Sequence, residues 1–368
     1  MWNLINITSW MTALAALRLS VRVIYRRFSY RNAMLANGCS NPKKYAHKDP
    51  FFGIDKFVSL AEAMQSGSML ATVEGLFATY GKTFQSNSWG TTVINTMDPL
   101  VIQTVLANSS EKFGVAPSQI PTVFFTADGQ SWAYHRSIAK QIFFGVRFSV
   151  IPSLEKHVNS LLELIHRDGS TIDLQPLLKR ILNINSWIQT NKTELRNQLL
   201  NPFLPARDST SIVSIGDAPI TFDLLKSMKY LKFVVNENLR LLALAGLSIR
   251  TCVEDCVLPR GGGPDGTEIR IVFHALHKDR DIWGEDAMEF RPERWENLRT
   301  TWEYIPFLGG GRICPAQQMA LTEVSYLVVR FMKEFKVIEN RDPEKKFVAG
   351  MKLSMESKNG VKVGFEVA

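Results

Sequence analysis

Apolar residues recur every third or fourth position across residues 317–335, at Ala320, Val324, Leu327, Phe331 and Phe335. This spacing predicts a helix with one buried face, and Pro315 suits its first turn. Residues 230–242, with Phe233 and Leu239 among aliphatic neighbours, predict a second helix on which Glu237 and Arg240 share a face. Strand signals are fewer. The Ile/Val-rich run 267–275 reads as a single strand. Residues 4–17 are mostly apolar and close on Arg18. Helical periodicity therefore dominates, and the chain is expected to be mainly α with small β-sheets.

The 368 residues support a large core, and charge divides them unevenly. Residues 1–48 carry eight Lys/Arg and no Asp or Glu, which leaves 35 basic against 35 acidic residues in the rest. A neutral body argues against nucleic acid as a partner. The basic end, with Trp2, Trp10 and the apolar run before Arg18, Arg22, Arg26 and Arg27, fits a membrane instead. The run is shorter than the roughly 20 residues of a spanning helix, so a slanted span and a basic helix lying on the surface both remain open. The expected division is an anchor over 1–27, a basic linker over 28–50 and a catalytic domain over 51–368. Four cysteines (Cys39, Cys252, Cys256, Cys314) do not make a disulfide scaffold. Cys252 and Cys256 lack companion ligands for zinc and read as idle thiols.

The chemistry concentrates around Cys314, in Phe307-Leu-Gly-Gly-Gly-Arg312-Ile-Cys314-Pro-Ala316. A sulfur at the start of a helix feels its positive end, which favours the thiolate that soft or redox metals take as a ligand. Alone, the segment also fits a buried cysteine in a glycine-rich turn. Other segments stand in order before it: Trp132-Ala-Tyr-His-Arg136, Glu237-Asn-Leu-Arg240 and Phe290-Arg-Pro-Glu-Arg294-Trp295. Together they resemble the cytochrome P-450 superfamily. The resemblance implies haem b with Cys314 as axial thiolate and metal ligand. It further implies Phe307 and Gly310 shaping the haem loop, and Trp132, Arg136 and Arg312 reaching the propionates. Glu237, Arg240 and Arg294 are implied to form a buried ionic cluster with a structural role.

Further stretches, among them Asp173-Leu-Gln-Pro and Val257-Leu-Pro-Arg-Gly-Gly-Gly, resemble the fungal n-alkane and fatty-acid hydroxylases. The resemblance is interrupted by internal deletions. Set against that family, the block roofing the substrate pocket is missing near 180–192, and the central haem-crossing helix is shortened around 210–218. A smaller loss follows Gly266. Asp208, Ser209 and Thr210 resemble the oxygen-activation motif, although the same cluster also fits a helix cap or turn.

The resemblance implies a monooxygenase that hydroxylates a hydrophobic, aliphatic substrate, a long-chain alkane or fatty acid. It would use dioxygen and electrons from an NADPH-dependent flavoprotein reductase, on the cytosolic side of the endoplasmic reticulum membrane. Lys333 and Lys336 are candidates to meet that reductase, or simply a solvated helix face. The alternative is a catalytically inactive, membrane-anchored fragment or mis-spliced product of such an enzyme. A cysteine-nucleophile hydrolase would need a histidine base beside Cys314; His274 and His277 are the nearest in sequence.

Overall fold

The computed structural model describes residues 41–115, 128–145, 150–178, 219–243, 246–259, 266–344, 348–351 and 355–367, with isolated helical positions between Leu14 and Ala36. Strand β1 (Lys43–Lys44) leads to helices α1 (Ile54–Ser66) and α2 (Met69–Tyr80) and the hairpin β2 (Thr83–Ser88) and β3 (Thr91–Thr96). Helix α3 (Pro99–Gln103) runs into a π-helical turn, Thr104–Asn108, followed by β4 (Phe113–Gly114). Helices α4 (Gly129–Gly145) and α5 (Val150–Glu163) precede β5 (Ile172–Asp173). Then come α6 (Phe222–Ser227), α7 (Lys229–Leu241), β6 (Ser248–Cys252), β7 (Glu268–Ile271), α8 (Phe273–Leu276) and α9 (Arg280–Trp283). The C-terminal part holds α10 (Gln317–Glu334), β8 (Phe335–Asn340), β9 (Ala349–Met351), β10 (Met355–Ser357) and β11 (Lys362–Val367).

The described residues are mainly helical with small sheets, as the periodicity predicts. The largest sheet has the order β1-β2-β3-β7-β6-β4; a second runs β5-β11-β8 and a third pairs β9 with β10. Local chemistry explains the joints. Trp89 (φ 51°) and Gly90 (φ 79°) turn the β2–β3 hairpin between the paired Ser88 and Thr91, and two positive φ angles match the twist of the flanking strands. Asp98 caps α3 by accepting from the amides of Leu100 and Val101.

Two main apolar cores form among the described residues. Val324, Leu327, Val328 and Phe331 of α10 are fully buried and pack with Leu154, Val158 and Leu161 of α5 and Leu231, Val234 and Val235 of α7. The other core lies on the large sheet around Phe84, Ile94, Ile269 and Ile271.

Three expectations need adjustment. Helix α10 ends at Glu334, and Phe335 opens β8 instead. Pro315 lies outside the helix, because Ala316 is the N-cap. The single strand expected over 267–275 splits: β7 stops where its partner β3 stops, Ile271 facing Thr96, and α8 begins at Phe273. Phe273, Ala275 and Leu276 are buried like the strand residues before them, so an unbroken apolar run hid the change of element.

The expected anchor over 1–27 falls mostly outside the described residues. Among those described, no helix is long and apolar enough to cross a membrane.

Candidate active site

The loop that carries Cys314 is shaped by its own backbone. Cys314 N donates to Phe307 O (2.9 Å), Leu308 N to Ile305 O (3.0 Å) and Ile313 N to Gly310 O (3.3 Å). Leu308 (φ 65°) and Gly310 (φ 64°) both adopt the left-handed region. At Gly310 a Cβ would lie 1.9 Å from Leu106 O, on the π-helical turn. Only glycine allows that approach. Phe307 is buried in the α10 core, and Cys314 packs, partly buried, against the same cluster.

Beside this loop a cavity of about 500 Å³ opens, lined by Leu106, Phe113, Asp128, Trp132, Arg250 and Arg312 among others. Arg312 bonds Asp128 and stacks over the Trp132 ring, 4.6 Å from its centroid. Asp128 Oδ2 also accepts from the Val115 amide (2.8 Å). One turn along α4 from Trp132, Arg136 is buried, and its Nε has no hydrogen-bond partner. Burial pushes the Arg136 guanidinium below its ordinary value, against an opposing attraction from Cys314. Arg250, from β6, is also buried. Burial, with the like charge of Arg312 added, pushes it down to about 10, while Asp128 acts in the opposite sense.

Arg312 thus feels the charge of Arg136 and of Arg250, Arg136 lies close to Cys314, and Asp128 is the carboxylate beside Arg312 and Arg250. Buried charge without a counter-charge is costly. An anionic group with more than one carboxylate would relieve that cost, and a flat macrocycle could lie against the glycine loop. The thiol of Cys314, the glycine loop and the cationic cavity therefore fit haem with its two propionates. Arg250 went unnoticed in the sequence, since a lone strand arginine belongs to no local motif. Asp128 was missed too, although an Asp-Gly step ahead of Trp132 marks the start of α4.

The ionic cluster is as the sequence implies, and larger. Arg240 donates Nε to Glu237 Oε2 (2.9 Å) and Nη2 to Oε1 (2.8 Å), while Arg294 Nε donates to Oε1 (2.9 Å). Trp295 Nε1 (2.9 Å) and the Arg291 amide (3.0 Å) complete the carboxylate's shell. Arg240 also holds the carbonyls of His277, Ala287 and Glu289. Burial pushes the Glu237 carboxyl up, but Arg240, the Arg291 amide and Arg294 together outweigh it and hold the group below its ordinary value.

Other expectations have definite outcomes. His274 Nε2 lies 2.7 Å from Glu74, and His277 Nε2 accepts from Ile305 N, so both histidines are engaged away from Cys314. Among the described residues no group of three or more His, Cys, Asp or Glu could hold a metal ion. Lys336 is exposed and Lys333 half-buried. Asp208, Ser209 and Thr210 lie outside the described residues.

Comparison with known proteins agrees with this geometry. The Cytochrome P450 family profile matches residues 209–363. The cytochrome P450 monooxygenase apdE of Emericella nidulans is 28% identical over 463 aligned positions, covering 89% of this chain and 89% of that protein. The cytochrome P450 monooxygenase iccC of Talaromyces variabilis is 28% identical, covering 89% of this chain and 92% of its own. Similarly, fumoA of Cordyceps fumosorosea, a cytochrome P450 monooxygenase, is 28% identical over 90% of this chain and 92% of its own. An alignment of 463 positions against 368 residues leaves at least 95 positions that this chain does not fill. The matched profile and these relatives show that the chain is similar to the cytochrome P450 superfamily, and they support a monooxygenase oxidoreductase with haem on a cysteine thiolate.

Proposed function

We propose that this chain is a haem-thiolate monooxygenase that hydroxylates an aliphatic carbon of a hydrophobic substrate, a long-chain alkane or fatty acid. The observation that carries the reading is the pair Arg250 and Arg312 lining a cavity beside the Cys314 loop, with buried Arg136 close to Cys314 and its Nε unpartnered. When bound, the haem supplies the redox and dioxygen chemistry. The chain's own residues do the rest. Cys314 would present its sulfur to the metal, with Phe307 in the apolar cluster against which Cys314 packs. Arg136, Arg250, Arg312 and the indole of Trp132 would hold the propionates, in the manner of charge-assisted bonds. Gly310 lets the loop lie close to the π-helical turn. Asp208 and the hydroxyls of Ser209 and Thr210 are the chain's candidates to move protons.

Electrons would come from an NADPH-dependent flavoprotein reductase. The body would lie on the cytosolic face of the endoplasmic reticulum, a reading supported by the arginines that follow the apolar segment. The alkane or fatty-acid substrate rests on the quoted sequence stretches alone.

A second reading, a catalytically silent haem-binding fragment, is favoured by the 95 or more unfilled alignment positions. One experiment separates the two. Reduced full-length protein under carbon monoxide should show the strongly red-shifted Soret band of thiolate-ligated haem, and Cys314→Ala should abolish it. No haem, or an unchanged band in the alanine variant, overturns both readings. A band without hydroxylated product from dodecanoic acid and reductase selects the silent fragment.

A further inference from the structure

Cys252 and Cys256 take no part in the proposed chemistry, yet the fold brings their sulfurs together. The two Sγ atoms lie 3.1 Å apart, and both side chains are buried, 1% and 4% exposed. Cys252 closes β6 and faces Phe113 of β4 at the end of the large sheet. The chain then turns through Val253, Glu254 and Asp255, all exposed, and returns with Cys256 beneath them. The turn is tied down by Val253 N donating to Lys112 O (2.9 Å) and by an ion pair between Lys112 and Glu254 (3.2 Å). Three exposed residues therefore join the two cysteines, and a local opening of that turn would expose both sulfurs. Arg250 lies two positions before Cys252 on β6 and so shares its strand face.

We propose that Cys252 and Cys256 form an oxidative modification site, closing to an intramolecular disulfide when the protein meets a hydroperoxide. One thiolate attacks a peroxide oxygen; the O–O bond breaks, and that sulfur becomes a sulfenic acid as an alcohol or water leaves. The second sulfur then attacks the sulfenic sulfur, an S–S bond forms, the S–O bond breaks and water departs. The two sulfurs are oxidised by two electrons in total and the peroxide is reduced by the same two. A closing movement of about 1 Å brings the sulfurs to bonding distance. The bond ties the end of β6 to the turn that follows it. Val253, one wall of the cationic cavity, lies inside the closed ring. A reducing compartment reopens such a bond, which suits a transient, reversible mark. The proposal does not depend on the haem reading.

The test uses the full chain, treated with hydrogen peroxide, denatured, alkylated with iodoacetamide and digested with trypsin. Cleavage after Arg250 and Arg260 leaves both cysteines in one peptide, 251–260. Before oxidation all four cysteines of the chain should carry the label. Afterwards two labels should be lost, both from peptide 251–260, which becomes about 2 Da lighter than its reduced, unlabelled form. A further cut after Glu254 should leave its two halves joined until reductant is added. The proposal is overturned if peptide 251–260 keeps both labels at peroxide doses that oxidise the other cysteines. Sulfinic or sulfonic acid on either cysteine without a link overturns it equally, as does a link to Cys39 or Cys314.

Discussion

Glu323, inside α10, shows what burial does to one side chain. It is 5% exposed, its Oε2 has no partner, and burial alone pushes its carboxyl up to about 8. Below that pH the folded protein holds the proton, whereas the unfolded chain releases it near 4.5. Folding therefore takes up a proton between the two values. The resulting penalty is absent below pH 4.5, grows as pH rises, and is complete above about 8. At full size it is on the order of 4 kcal/mol. Replacing Glu323 by Gln should remove the dependence, so that the variant gains on the native protein in urea midpoint as pH climbs from 5 to 8. Parallel profiles for the two proteins would exclude a protonated Glu323. The helical spacing of 317–335 puts Glu323 on the buried face, three after Ala320 and four before Leu327, but only the packing around α10 leaves its Oε2 without a partner.

At the scale of elements, α7 is joined to the segment after α9 by the Glu237 carboxylate. Arg240, Arg294, Trp295 and the Arg291 amide all point hydrogens at it. Removing one partner strands buried charge on the others, so Arg240→Ala should cost about 3–5 kcal/mol in chemical denaturation. A loss below about 1 kcal/mol would mean that water or rearrangement replaces the guanidinium. Half of this unit was legible beforehand: Glu237 and Arg240 lie three apart on a helix, and Arg294 sits in a recognisable segment. Trp295 and the carbonyls of His277, Ala287 and Glu289 were not, since backbone groups carry no sequence signal. The same limit hid the end of β7. Apolar residues continue past Ile271, and only the end of pairing with β3 stops the strand.

For the whole molecule, the cavity beside Cys314 joins pieces far apart in the chain: the π-helical turn, α4, β6 and the glycine loop. A ligand that binds only the folded form raises stability by mass action. Haem added to apoprotein should therefore raise the thermal midpoint by several degrees. Arg250→Met should blunt that rise without lowering the midpoint of the apoprotein, because a buried guanidinium has been replaced by an apolar chain. Equal haem-induced shifts in both proteins would remove Arg250 from the site.

Sequence by itself determined the helical character and the segments around Trp132, Glu237, Arg294 and Cys314 that carry the family resemblance, because periodicity and short motifs depend on near neighbours along the chain. Tertiary structure alone decided that Arg250 and Asp128 join the cationic cavity, that a Glu323 oxygen is buried without a partner, and that the sulfurs of Cys252 and Cys256 meet. Proximity across elements and loss of water arise from packing, and neither is written in any single stretch of residues.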